Sequence, residues 1–337
     1  MTENQSHKLA VAPMMDWTDR HCRMFHRMLS QQVQLYTEMV TAPALVRGGA
    51  LHLLQHAPQE HPVVLQLGGS DPEELARAAE LGHRAGYREI NLNCGCPSDR
   101  VQSGCFGAVL MQRPAHVAEI CRAMIASSAA EITVKCRIGV DDQDPEDALP
   151  HFLEHITEAG VGHVIIHARK AWLQGLSPKD NREIPTLDHG LVIRMKAEFP
   201  RLRITINGGV TSLAQAEDLL ACGLDGVMVG RAAYQRPADI LLGADERIFG
   251  VAPESGRVRS MHSAITAMRP YIARELAAGA RLAAITRHML GAFAGQPGAR
   301  QWRRVLSDKS HRPGAGLEVL DEALAQIEVS PEVACLL

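Results

Sequence analysis

A parallel (β/α)8 TIM barrel followed by a C-terminal all-α helical bundle is the fold class this chain predicts, on three grounds. Eight short apolar runs alternate with helix-like segments up to about residue 243, the order of a repeat in which helices cover a parallel sheet. Polar side chains gather at the ends of those runs, where active sites of this fold lie. Past residue 250 only helical spacing remains. A doubly wound open sheet fits less well, because the turn after the first run reads Ala12-Pro13-Met14-Met15 and has no glycine-rich dinucleotide fingerprint.

The strand candidates, in order, are Lys8–Pro13, Gln34–Glu38, Pro62–Leu67, Glu89–Asn93, Ile132–Cys136, His163–His167, Arg203–Asn207 and Gly226–Gly230. Between them, Asp71-Pro72-Glu73-Glu74 supplies a capping Asp, a Pro at the first helical position and acids in the first turn. Thr211-Ser212 before Leu213–Ala221, with Gly223 after it, carries the same start and stop signals. Downstream, Met261, Ile265, Met268, Ile272 and Leu276 form one apolar stripe, and Leu282, Ile285, Met289 and Phe293 another. The expected division is a barrel over 1–243, a linker over 244–255 and a helical domain over 256–337.

Hydrophobic residues at 46% and charged residues at 22% allow a large core and argue against disorder. The polar start and the absence of a long apolar run lead us to expect a soluble, cytoplasmic protein with no membrane partner. The eight cysteines (22, 94, 96, 105, 121, 136, 222 and 335) then read as reduced thiols. Charge is distributed unevenly. Residues 255–312 carry 11 Lys and Arg against two acids, a balance of +9, while residues 1–254 stand at -7 and 313–337 at -5. A basic segment inside an acidic chain points to a polyanion, most simply nucleic acid, with Arg300 and Arg303 one helical turn apart on it.

The richest stretch is Asn91-Leu92-Asn93-Cys94-Gly95-Cys96-Pro97. A thiol on the turn after a strand can give up a proton, and carboxamides can read a uracil-like ring. Asn207-Gly208-Gly209 and Gly230-Arg231 follow the last two strands, where many barrels hold phosphate. Lys135 and His167 place positive charge beside a ring that becomes anionic on reduction. Gln66 and the backbone of Pro13, Met14 and Met15 offer it hydrogen bonds. Together these describe a flavin mononucleotide (FMN) site, although Lys135 also suits Schiff-base chemistry. No metal is expected, because the spacing of Cys94, Cys96 and Cys105 matches no usual zinc or iron–sulfur pattern.

These pieces, in this order, resemble the tRNA-dihydrouridine synthases. The resemblance rests on Ala12-Pro13-Met14-Met15-Asp16-Trp17-Thr18-Asp19, Gln66-Leu67-Gly68-Gly69, Asn91-Leu92-Asn93, Gly95-Cys96-Pro97-Ser98 and Val134-Lys135-Cys136-Arg137. It continues through His167-Ala168-Arg169-Lys170, Asn207-Gly208-Gly209 and Met228-Val229-Gly230-Arg231-Ala232. The loop from Ala171 to Pro185 and the tail Gly298-Ala299-Arg300-Gln301-Trp302-Arg303-Arg304 are similar to the A-type bacterial branch. The resemblance implies an FMN enzyme that uses NADPH as a transient reductant to saturate the C5=C6 bond of D-loop uridines 20 and 20a. It implies Cys96 as the proton donor, Asn93 as a uracil contact, and Lys179 and Arg182 as tRNA contacts. Cys94 departs from the family's pattern and puts a second thiol beside Cys96. A small-molecule flavoenzyme of the same fold is the alternative, though it has no use for a segment at +9. A monomer is expected.

Overall fold

The computed structural model describes residues 7–98, 106–252 and 258–327. Eight parallel strands, β1 (Leu9–Val11), β2 (Leu35–Thr41), β3 (Val63–Gly68), β4 (Glu89–Cys94), β5 (Glu131–Arg137), β6 (His163–His167), β7 (Arg203–Asn207) and β8 (Gly226–Val229), pair in the order β1-β8-β7-β6-β5-β4-β3-β2. Gln34 completes the ring between β1 and β2. Its N–H donates to the Leu9 carbonyl at 3.0 Å, and its carbonyl accepts from the Val11 N–H at 2.9 Å. The (β/α)8 barrel is present with all eight expected strands.

Helices separate the strands, and the predicted start at Asp71-Pro72 is present. Asp71 accepts from the Glu74 N–H at 2.9 Å at the head of Pro72–Arg84. Asp144 and Asp188 cap Pro145–Glu158 and His189–Glu198 in the same way. Each such cap is worth about 1 kcal/mol.

Successive residues of a strand face opposite ways, and in β4 both faces are buried. Ile90, Leu92 and Cys94 form one face, covered by helices such as Pro72–Arg84 and Pro114–Ser127, which bury Leu75, Ala78, Val117 and Ile120. Glu89, Asn91 and Asn93 form the other, so the polar half of the alternation lines the barrel lumen.

By contacts the chain divides into two compact units, though not at a single cut near residue 243. One comprises the chain through Met15, Gln34–Val210 and Ala214–Gly230; the other comprises Asp16–Val33, Thr211–Leu213 and the chain from Arg231 on. Two carboxylates account for the early segment's place in the second unit. Asp19 caps the helix Arg20–Leu29 and also takes Arg287 Nη2 at 2.7 Å and His288 Nε2 at 3.0 Å. Asp245, buried in a short helix Ala244–Arg247 within the expected linker, accepts from Ser30 Oγ and from the Gln31 and Gln32 N–H groups. Residues 253–255 of that linker lie outside the described residues.

In this second unit the stripe Met261, Ile265, Met268 and Ile272 is buried, but it spans two helices, Met261–Ala267 and Arg269–Ala277. Pro270 divides them, because its ring excludes the preceding helical turn. Helix Ala299–Lys309 buries Ala299, Trp302, Val305 and Leu306 and leaves Arg300, Arg303 and Arg304 exposed. Among the described residues no helix is long and apolar enough to cross a membrane.

Candidate active site at the strand ends

Strand register brings the predicted residues together. Gln66 pairs with Asn91, Asn93 with Lys135, His167 with Asn207 and Asn207 with Met228. Their side chains meet in the lumen at the ends of β3 to β7. Asn93 Nδ2 donates to Gln66 Oε1 at 2.9 Å, and Gln66 Nε2 donates to Asn91 Oδ1 at 2.9 Å. Lys135 Nζ donates to Asn207 Oδ1 at 3.0 Å, and Asn207 Nδ2 donates to the Met228 carbonyl at 2.8 Å.

Cys96 sits on a turn that is tied from several sides. Asn93 Oδ1 accepts from the Gly95 N–H at 3.1 Å and the Cys96 N–H at 3.0 Å. Arg137 Nε donates to the Gly95 carbonyl at 3.0 Å, and the Ala108 N–H donates to the Cys96 carbonyl at 2.9 Å. The Cys96 thiol, half-buried, has Ser98 Oγ at 3.4 Å as its acceptor. Cys94, two residues earlier, points to the opposite face and is fully buried. Burial pushes its thiol well above the ordinary value, with the neighbouring thiols of Cys121 and Cys136 adding to the effect. It is a core thiol. Cys105 lies outside the described residues.

The rim is cationic and unbalanced. Burial, then the nearby Arg137, draws the Lys135 ammonium down to about 8. Among the described residues no carboxylate pairs with it. His167 is buried, and its Nδ1 has no hydrogen-bond partner. Burial, followed by the charges of Arg137, Lys135, Arg169 and Arg182, holds this ring well below its usual range, so, contrary to the expectation for His167, the rim's positive charge comes from Lys135 and Arg137. Beside the His167 ring Gly208 and Gly209 both adopt left-handed backbone (φ 111° and 75°). That backbone disfavours a side chain, and a Cβ at Gly209 would also force the Leu187 Cδ2 methyl, 2.4 Å away, to shift.

The other predicted residues are more dispersed. Pro13 and Met14 are half-buried and Met15 is exposed on the turn after β1. Gly230 follows β8, and Arg231 opens the helix Arg231–Gln235. Lys179 and Arg182 are exposed on the loop after β6, around the short turn Asp180–Arg182. Arg300 and Arg303 lie in the other contact unit. Two structural residues escaped the sequence reading. Arg137 clamps the Cys96 turn and also donates to the Lys170 and Asn181 carbonyls. Asn181, fully buried, holds the loop through the Trp172 N–H and carbonyl. An arginine at a strand end and an asparagine in a loop carry no periodic signal.

Comparison with known proteins identifies the family. The profile of the family described as "Dihydrouridine synthase (Dus)" matches residues 10–328. The chain belongs to the dihydrouridine synthase family. A protein of Vibrio cholerae serotype O1 named tRNA-dihydrouridine(20/20a) synthase is 54% identical over 322 residues, covering 95% of this chain and 96% of that one. Those of the same name from Yersinia pestis and Salmonella typhimurium are 54% and 53% identical, over 96% and 95% of this chain and 92% and 95% of theirs. The family match spans every rim residue named above, together with the helix that carries Arg300 and Arg303.

Proposed function

We propose that this chain is a flavin-dependent oxidoreductase acting on transfer RNA, which reduces the C5=C6 bond of uridines 20 and 20a in the D-loop. The observation that carries the reading is the placement of the Cys96 thiol on a tethered turn at the same barrel rim as Lys135, His167 and the Gly208-Gly209 backbone. The close relatives' shared name supports the same substrate.

The residues present suit FMN. The bare Gly208-Gly209 backbone offers close approach for phosphate oxygens, with Asn207, Gly230 and Arg231 as further donors. The orphaned His167 Nδ1 seeks a polar partner at the same place. Lys135, a half-buried cation whose hydrogen-bond partner among the described residues is a neutral carboxamide, suits a ring that gains negative charge. Gln66 and the Pro13–Met15 segment complete the ring contacts. Reduced flavin supplies the hydride, and NADPH is the transient reductant that restores it.

The chain's own residues supply the proton and the geometry. As uridine C6 gains hydride, negative charge develops on C5 and O4. The Cys96 thiol delivers a proton to C5, and the Asn93 carboxamide orients the uracil. Lys179 and Arg182 hold the target loop. The exposed row Arg300, Arg303 and Arg304, with no ion pair among the described residues, tracks phosphates. In the same unit Arg269 and Lys309 are already paired with Asp321 and Glu322. Such an unpaired basic face is unexpected for a small-molecule flavoenzyme.

The visible spectrum of the purified protein, followed by mass spectrometry of treated transcripts, tests the reading. A yellow protein that adds two mass units at uridines 20 and 20a is expected. A colourless protein, or a yellow one that leaves RNA unchanged while reducing small enones, overturns it.

A further inference from the structure

The lumen contains one continuous hydrogen-bond chain that runs from the Cys96 turn to the opposite end of the barrel. The Gly95 and Cys96 N–H groups donate to Asn93 Oδ1, Asn93 Nδ2 to Gln66 Oε1, and Gln66 Nε2 to Asn91 Oδ1. Asn91 Nδ2 then donates to Thr133 Oγ1 at 3.0 Å, and Thr133 Oγ1 donates to Glu89 Oε1 at 3.0 Å. Every side chain in it is buried at 8% exposure or less. Water therefore offers no alternative partners.

Both ends impose the same direction. The upper end consists of backbone N–H groups, which only donate. The lower end is a carboxyl group that presents Oε1 as an acceptor to Thr133, and it still does so when the group is protonated on Oε2, where Gln34 Nε2 lies at 3.1 Å. An amide turned over anywhere between them would set donor against donor on one side and acceptor against acceptor on the other. A buried mismatch of that kind loses two hydrogen bonds at once.

Two histidines flank the lower end. His7, Glu89 and His163 gather ligand atoms within 4.8 Å of one another. That spread exceeds the separation of about 3.3 Å between ligands of one tetrahedral zinc, and the Glu89 oxygens are engaged. Glu89 is there as a terminus.

We infer that Glu89 and Thr133 are positioning residues, which act through Asn91 to fix the amide polarity of Gln66 and Asn93 and to hold the turn that carries Cys96. They touch neither substrate nor cofactor. The inference rests on the proposed reaction only for its catalytic consequence; the tethering of the turn stands apart from it.

Thr133→Val keeps shape and removes the hydroxyl link. Hydrogen exchange followed by mass spectrometry should show the Gly95 and Cys96 amides opening about tenfold faster. Dihydrouridine formation should lose about tenfold in kcat with KM for tRNA little changed, and Thr133→Ser should restore both. If Thr133→Val does not fold, the Glu89 variants decide. Glu89→Met, which has no acceptor, should loosen the turn, whereas Glu89→Gln, which retains one, should not. Parent-like exchange in Thr133→Val or, failing that, in Glu89→Met overturns the inference, as does failure of Thr133→Ser to restore it. A parent that forms no dihydrouridine refutes the reaction instead and leaves the exchange result to judge the chain.

Discussion

At the end of the lumen where the strands begin, Glu89, His7 and His163 are buried together, and each is driven toward its uncharged form. Burial raises Glu89 to about 7 and lowers His7 to about 4 and His163 to about 3. At the end where the strands stop, the same wall material encloses Lys135 and Arg137. Burial lowers them only to about 8 and about 10, so both remain cations at neutral pH, and among the described residues no carboxylate pairs with either. One end neutralises its charges. The other keeps uncompensated positive charge, which folding alone has no reason to retain. The helical tail repeats the contrast on its surface, with Arg269 and Lys309 paired but Arg300, Arg303 and Arg304 left without an ion pair among the described residues.

The sharpest way to break this contrast is at the thiols. Cys96→Ala should lower dihydrouridine formation by about 10²- to 10⁴-fold, with flavin content, its reduction by NADPH and tRNA binding preserved. Cys94→Ala, on the outward face, should cost stability and leave the chemistry near parent. A dead Cys94→Ala beside an active Cys96→Ala would mean that the acid is misassigned.

Next in size is the neutral end. Glu89 holds its proton up to about pH 7 when folded but only to its ordinary value of 4.5 when unfolded. Between those values the unfolded chain binds fewer protons, so this group's contribution to stability falls as pH rises. Glu89→Gln has no such loss. Its stability relative to parent should therefore rise by up to about 3 kcal/mol between pH 4.5 and 7. A difference that stays constant in urea melts across that range would show that Glu89 is not held neutral.

At the cationic end, Lys135→Met should weaken flavin retention or slow its reduction by about tenfold to a hundredfold, while circular dichroism stays that of the parent. Trapping a substrate on Lys135 with borohydride would instead revive a lyase. The smallest effect belongs to the tail. Arg300→Ala with Arg303→Ala should reduce the salt slope of tRNA binding by about one unit per arginine. Binding equal to parent at every salt concentration would remove those residues from the interface.

All eight strands were legible because each is a short aliphatic run between strong turn signals, and Asp71-Pro72 marked a helix start. The rim residues were legible because they stand within a few positions of strand ends. Thr133 was not: a threonine inside a strand is ordinary, and its role appears only when β4 lies beside β5 in register. Glu89 was read as a polar strand start, because alternation tells which residues share a face but not that this face lines the lumen. The break at Pro270 was hidden by a stripe that keeps its phase across it. The engagement of Asp19 with Arg287 and His288 joins residues more than 260 positions apart, which no local pattern records.

That last contact bears on how the chain can be rearranged by genetic exchange. Helix Arg20–Leu29 is fastened to the tail at both ends, through Asp19 and Arg20 near its start, the latter paired with Glu275, and through Ser30 and Asp245 beyond its end. A tail transplanted from a relative at residue 244 would arrive without the residues its own anchors are matched to. A chimera that carries residues 16–33 along with the tail keeps those partners together, so the transferable cassette is discontinuous in sequence.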